Sequence, residues 1–129
     1  MGFKKREDKE MRKVLGVLTL SAALFIAGRA LAAERSFTVV NIEYEGSKIW
    51  VPSTLVVQKG DTVKIKLINN VKADPNQHGY KIADFNVETV VTRGEPKEVT
   101  FTADKAGIFP ISCQLHPAHI GGELVVLDK

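Results

Sequence analysis

An all-β fold, a sandwich or small barrel of about seven or eight strands preceded by an N-terminal signal helix, is predicted by three features of the 129-residue chain. Alternating, β-branched segments dominate after residue 35. Turn residues (Gly46, Pro52, Gly60, Pro75, Gly79, Gly94, Gly107, Gly121 and Gly122) recur every dozen or so positions. Helical periodicity is nearly absent from the same region.

The first third differs in composition. Residues 1–13 (MGFKKREDKEMRK) are charged, 14–28 (VLGVLTLSAALFIAG) form an apolar run, and RALAAE follows with small residues around a cleavage position. That order is the pattern of a secretory leader, residues 1–32, with Ala30-x-Ala32 placing the cut after Ala32 and a cut after Ala33 nearly as good. The apolar run has 15 residues, short of the roughly 18 expected of a spanning helix; an uncleaved anchor over residues 14–28 is the alternative. Met11 also offers a compact start, MRKVLGVLTL. The expected location is the periplasm.

Removing the leader reverses the charge argument. Seven of the 18 Lys and Arg and three of the 15 acids lie in residues 1–32, which leaves 11 basic against 12 acidic side chains, a net of −1. The basic pI belongs to the leader, and the remainder has no electrostatic footprint for nucleic acid or an anionic membrane. Residues 33–129 suffice for one small core without staples. They hold a single cysteine, so no internal disulfide can form.

The strand candidates, in order, begin with SFTVVNIEY, which alternates. TLVVQKGDTVKIKLINN gives two strands about a Lys59-Gly60-Asp61 turn. HGYKIADFNV and EPKEVTFTA follow, then GIFPISC and GELVVL. The longest polar stretch, NNVKADPNQHG, leads into His78. Trp50, Phe37, Phe85, Phe101 and Phe109 are expected in the core or its rim, and Tyr80, two residues past His78, on the same strand face as His78.

The chemistry concentrates in SCQLHPAHIGG, which holds Cys113, His116 and His119 at C-x2-H-x2-H spacing. A loop between the last two strands can meet the segment carrying His78 at one end of a sandwich, gathering a thiol and three imidazoles. Thiolate with imidazoles suits copper; Cys with three His is also a permissible zinc set. Composition leaves the two metals close. No general acid or base stands at the loop, and Asp84 and Glu88 are expected to be solvated edge residues.

Three segments carry a resemblance to the cupredoxin family over nearly all of residues 33–129. VPSTLVVQKGDTV, 51–63, resembles the family's P-x-x-L-x-V-x-x-G-D-x-V hairpin. FTADKAGIFPISC, 101–113, resembles its approach strand, and CQLHPAHIGGELVVL its ligand loop and closing strand. The resemblance implies a Greek-key sandwich with one Cu(I)/Cu(II) ion per chain. Cys113 would be the thiolate ligand and His116 the C-terminal imidazole ligand, and His78 opens a strand where the family's first histidine stands. The loop spacing is amicyanin-like, but a methionine usually stands where this chain has His119, and Met1 and Met11 both lie in the leader. FTADKAG and CQLHP are also similar to segments of nitrosocyanin, the red copper branch, whose extra glutamate ligand falls where this chain has His78. An imidazole at position 119 binds harder than a thioether and favours Cu(II).

The expected activity is one-electron transfer rather than catalysis, with transient redox protein partners docking near His116. A nitrosocyanin-like redox enzyme acting on a small nitrogen oxide or oxygen species is the first alternative, and a copper carrier or storage protein the second. A dinuclear copper centre would need a second cysteine, and a multicopper oxidase several such domains.

Overall fold

The computed structural model describes residues 31–128. The expected leader, signal helix and anchor lie outside them, apart from Leu31 and Ala32. Among the described residues no helix is long and apolar enough to cross a membrane.

Among the described residues, nine strands build the domain. They are β1 (Glu34–Tyr44), β2 (Ser47–Val51), β3 (Thr54–Gln58), β4 (Thr62–Asn69), β5 (Gln77–Ile82), β6 (Val87–Thr92), β7 (Lys97–Thr102), β8 (Gly107–Ile111) and β9 (Gly122–Leu127). One sheet has the order β2-β1-β4-β7, a second β3-β9-β8, and β5 pairs with β6. The short β5–β6 ribbon joins the end of β8 through a bridge between Lys81 and Ser112. Both backbone hydrogen bonds of that bridge form, at 2.8 and 2.9 Å.

The core follows from alternation. Along β4 the residues Val63, Ile65 and Leu67 point inward and are fully buried, as are Val39 of β1 and Leu124 of β9. Trp50 is buried with them, and Phe37, Phe85, Phe101 and Phe109 pack at the rim, as their composition led us to expect.

The count exceeds the expected seven or eight because two strands are hidden in the sequence. Glu45 and Gly46 both have positive φ (48° and 79°), the two-residue turn that suits the twist of a hairpin. It folds Ser47–Val51 back on β1, with Tyr44 opposite Ser47. HGYKIADFNV is not one strand: it breaks at a 3-10 turn over Ala83–Phe85 that ends on Asn86, left-handed at φ 55°. Asparagine tolerates that conformation better than most residues.

The expected hairpin about Lys59-Gly60-Asp61 also needs correction. β3 pairs with β9 and β4 with β1 and β7, so the two strands lie in different sheets. The turn is a crossing between sheets, held by the Asp61 carboxylate, which accepts from the backbone N–H of Gln58 at 3.0 Å. That bond first, then those from Ala33 and Arg35, hold the Asp61 carboxyl below its ordinary pKa against the opposing effect of burial.

Candidate metal centre

β5 and the loop between β8 and β9 build the site. Because Lys81 sits opposite Ser112, continuing the antiparallel register brings Tyr80 and Gly79 alongside Cys113 and Gln114, with His78 the next residue along β5. The Gly79 N–H donates to Cys113 Sγ at 3.1 Å. A Cβ on Gly79 would collide with the Gln114 side chain, whose Nε2 donates to Thr89 O at 3.1 Å. Glycine here admits both the sulfur contact and the Gln114 amide.

The C-x2-H-x2-H spacing is realised as two consecutive turns. His116 N–H donates to Cys113 O at 3.3 Å, and His119 N–H to His116 O at 3.0 Å. Each turn returns a side chain to the same point. Cys113 Sγ lies 3.6 Å from His116 Nδ1. The rings of His78 and His116 are 5.1 Å apart, those of His78 and His119 4.8 Å, and those of His116 and His119 4.6 Å. One ligand atom from each of His78, Cys113, His116 and His119 falls within 4.8 Å of the other three. The four residues singled out in the sequence are thus the four that the fold brings together.

Past the loop, glycines close the frame. A Cβ on Gly122 would meet Ser53 O, and one on Gly121 would meet Ile111 O. β9 can therefore insert between β3 and β8 directly after the loop.

The donors fit a metal. His78 is fully buried, and neither ring nitrogen has a hydrogen-bond partner among the described residues. Leaving a buried polar group unpaired costs about 1–3 kcal/mol, which a bound ion would offset. Burial first, then the charges of His119, His116 and Lys48, push the pKa of His78 down to about 4. The His119 pKa is lowered too, by burial and by the charges of His116 and Lys48. Both therefore present neutral imidazoles, the form that metals require. Cys113 is buried at the end of β8, while His116 and His119 are half-buried.

Three contributors escaped the sequence analysis. Gly79 is the backbone donor to sulfur; a glycine directly after a histidine at a strand start was the available signal. Trp50 donates from Nε1 to Gly79 O at 3.0 Å and meets Tyr80 edge-on at 5.2 Å, so it braces the strand that carries His78. Lys48 acts on the electrostatics of His78 and His119 from β2, which a bridge between Ile49 and Ile120 sets beside the ligand loop. Tyr80 is buried on the same face as His78, as expected, and burial raises the pKa of its phenol. Asp84 and Glu88 are exposed, also as expected.

A family model described as a cupredoxin-like domain matches residues 16–126. The chain belongs to the cupredoxin-like domain family. In this cupredoxin the His-Cys-His-His cluster is positioned for a single copper ion.

Among curated proteins, the nitrous-oxide reductase of Cupriavidus necator is 38% identical over 66 residues, 50% of this chain and 10% of the reductase. The cupredoxin thus spans about a tenth of that relative's length. Among solved structures, a copper-containing nitrite reductase from Thermus scotoductus has TM-score 0.59 and 30% identity, covering 74% of this chain and 28% of that one. Auracyanin from Roseiflexus castenholzii has the same TM-score of 0.59, covering 74% of this chain and 99% of its own. At 19% identity the latter match shows the fold alone.

Proposed function

We propose that this cupredoxin is an exported one-electron carrier whose copper ligands are His78, Cys113, His116 and His119. One observation carries the reading: the four ligand atoms converge within 4.8 Å along a gradient of depth, two residues buried and two half-buried. A copper ion held there would supply one-electron exchange between Cu(I) and Cu(II). The protein's part is to keep the donors in place. The β5–β8 bridge fixes His78 against Cys113, and the two loop turns fix His116 and His119. Little of the site then needs to rearrange on electron exchange.

His116 offers the exit. It is flanked by exposed Leu115, Pro117, Ala118 and Ile120, with Leu115 44% and Ile120 54% exposed. An apolar patch of that kind suits brief docking of a redox partner. The near-zero net charge of residues 33–129 leaves the encounter with little electrostatic steering. Export is supported by the leader pattern.

The likeness to nitrous-oxide and nitrite reductases favours a second reading, a redox enzyme acting on a small nitrogen oxide. That reading requires a fifth coordination position, or a labile histidine, to admit the substrate. Adding azide or nitric oxide to the oxidised protein separates the two. An unchanged Cu(II) absorption and electron-spin spectrum is expected of a carrier; new bands would overturn the carrier reading in favour of catalysis.

A further inference from the structure

The first strand of the domain starts where the leader pattern ends, and a buried carboxylate waits there. Asp61 has a side chain only 1% exposed. Its Oδ2 accepts from Gln58 N at 3.0 Å and from Arg35 Nε at 3.1 Å. Its Oδ1 accepts from Ala33 N, at 3.2 Å. The Ala33 carbonyl in turn accepts from Thr62 N at 2.9 Å, so Ala33 is held at both ends of its peptide by the turn that crosses between sheets. Ala32, the residue before it, is exposed.

We propose that Asp61 is a binding site for the new N-terminus made by export processing, the α-ammonium group of Ala33. Hydrolysis by the exporting cell's leader peptidase adds one water across the Ala32–Ala33 peptide bond. The leader leaves with the Ala32 carboxylate, and the freed amine of Ala33 takes up a proton at neutral pH. The amide donor facing Oδ1 thereby becomes an ammonium facing the same oxygen, and a hydrogen bond in which only the carboxylate is charged becomes an ion pair between opposite charges, which adds Coulomb attraction. Processing then fastens β1 to β4 more firmly than the precursor can.

The same geometry selects between two cleavage positions that the sequence leaves nearly equal. A cut after Ala33 would delete both the donor to Asp61 and the acceptor for Thr62. The chain would then begin at Glu34, whose carboxylate pairs with Lys64 at 3.1 Å. A cut after Ala32 keeps every contact and adds a charge to one.

Other charges around the turn are Arg35 on β1, the Glu34–Lys64 pair, and the pair of Lys59 and Asp128 at 3.8 Å. Asp104 and Lys105 follow Ala103 in sequence, and Ala103 bonds the backbone of Gly60 and Asp61. Arg35 loses its ion pair in an Asp61→Asn variant but stays charged throughout this pH range, and the other groups are common to both proteins, so the difference in their alkaline pH dependence isolates the ammonium. The sign follows from linkage. An amine whose pKa is raised by a partner contributes stability that is full below its unfolded value, about 8, and is lost as pH rises through the folded value.

The full chain, expressed in an exporting bacterium and recovered from the periplasm, provides the test. Its intact mass should begin at Ala33. Its melting temperature should fall between about pH 8 and pH 10, a fall absent both from exported Asp61→Asn and from leader-bearing precursor held in the cytoplasm. Should Asp61→Asn fail to fold, the pH dependence of α-amine labelling of the native protein reads the same quantity, with half-reaction displaced above about pH 8. A mature mass beginning elsewhere, an alkaline fall shared by Asp61→Asn, or an undisplaced labelling curve would each overturn the proposal. The proposal rests on the export part of the proposed function, and none of these outcomes depends on copper, so its failure is distinguishable from failure of the electron-carrier reading.

Discussion

Position 119 carries the sharpest chemical question. The resemblance leads to a thioether there, and the chain has an imidazole whose ring stacks at 4.6 Å on that of His116. A nitrogen donor favours Cu(II), so the variant His119→Met is expected to keep its copper and gain an intense thiolate-to-copper band. Its reduction potential is expected to rise by on the order of 100 mV, since each tenfold change in the Cu(II)/Cu(I) preference is about 59 mV. Redox titration followed by visible absorption checks this, and an unchanged potential would mean that His119 does not bind. All four cluster residues were legible because soft ligands are rare in this chain. Gly79, Trp50 and Lys48 were not, since their effects depend on which strands lie beside β5 and the loop.

Among the elements, β5 depends on the segment that leads into it. Asn69, buried at the end of β4, donates from Nδ2 to Asn76 O at 2.9 Å and to Val91 O at 3.2 Å, and accepts from Val71 N at 3.1 Å. Arg93 adds bonds to Val71 O and Lys72 O. The longest polar stretch of the sequence is therefore clamped at both ends of its course. Asn69→Ala is expected to cost about 1–3 kcal/mol by orphaning buried partners. Thermal unfolding should show a drop of roughly 4–8 °C for each kcal/mol, and stopped-flow chelation should show faster copper release, because His78 follows this segment. The strands with clean alternation, such as β4 and β9, were legible in full. β2 and β6 were hidden because a tight turn and a left-handed asparagine leave no gap in the apolar pattern. The pairing of β3 with β9 rather than β4 was beyond reach, since a Gly-Asp turn serves a hairpin and a sheet crossing alike.

For the whole molecule, burial of the site sets the acid limit of the metal-free protein. His78 has a folded pKa of about 4 against an ordinary 6.5, so below pH 6.5 the unfolded chain takes up a proton that the folded chain refuses. Stability is full above pH 6.5 and is lost as pH falls toward 4, by on the order of 3 kcal/mol. The lowered pKa of His119 acts in the same direction. Thermal melts of copper-free protein from pH 7.5 to pH 4 check the window, and His78→Gln should flatten it. Asp61, with its pKa held below the ordinary carboxylate value of 3.8, withdraws its contribution only at lower pH.

By itself the sequence determined the residue types, and with them the class of fold and the chemistry of the site. Alternation decides which faces are buried, and one thiol with three imidazoles limits the metals that can be held. Tertiary structure alone decided their geometry: one bridge between Lys81 and Ser112 puts a backbone N–H on the sulfur and removes water from His78. Hydrophobic pattern is a local property that sums along the chain, whereas register between β5 and β8, 31 positions apart at that bridge, is a property of the packed molecule.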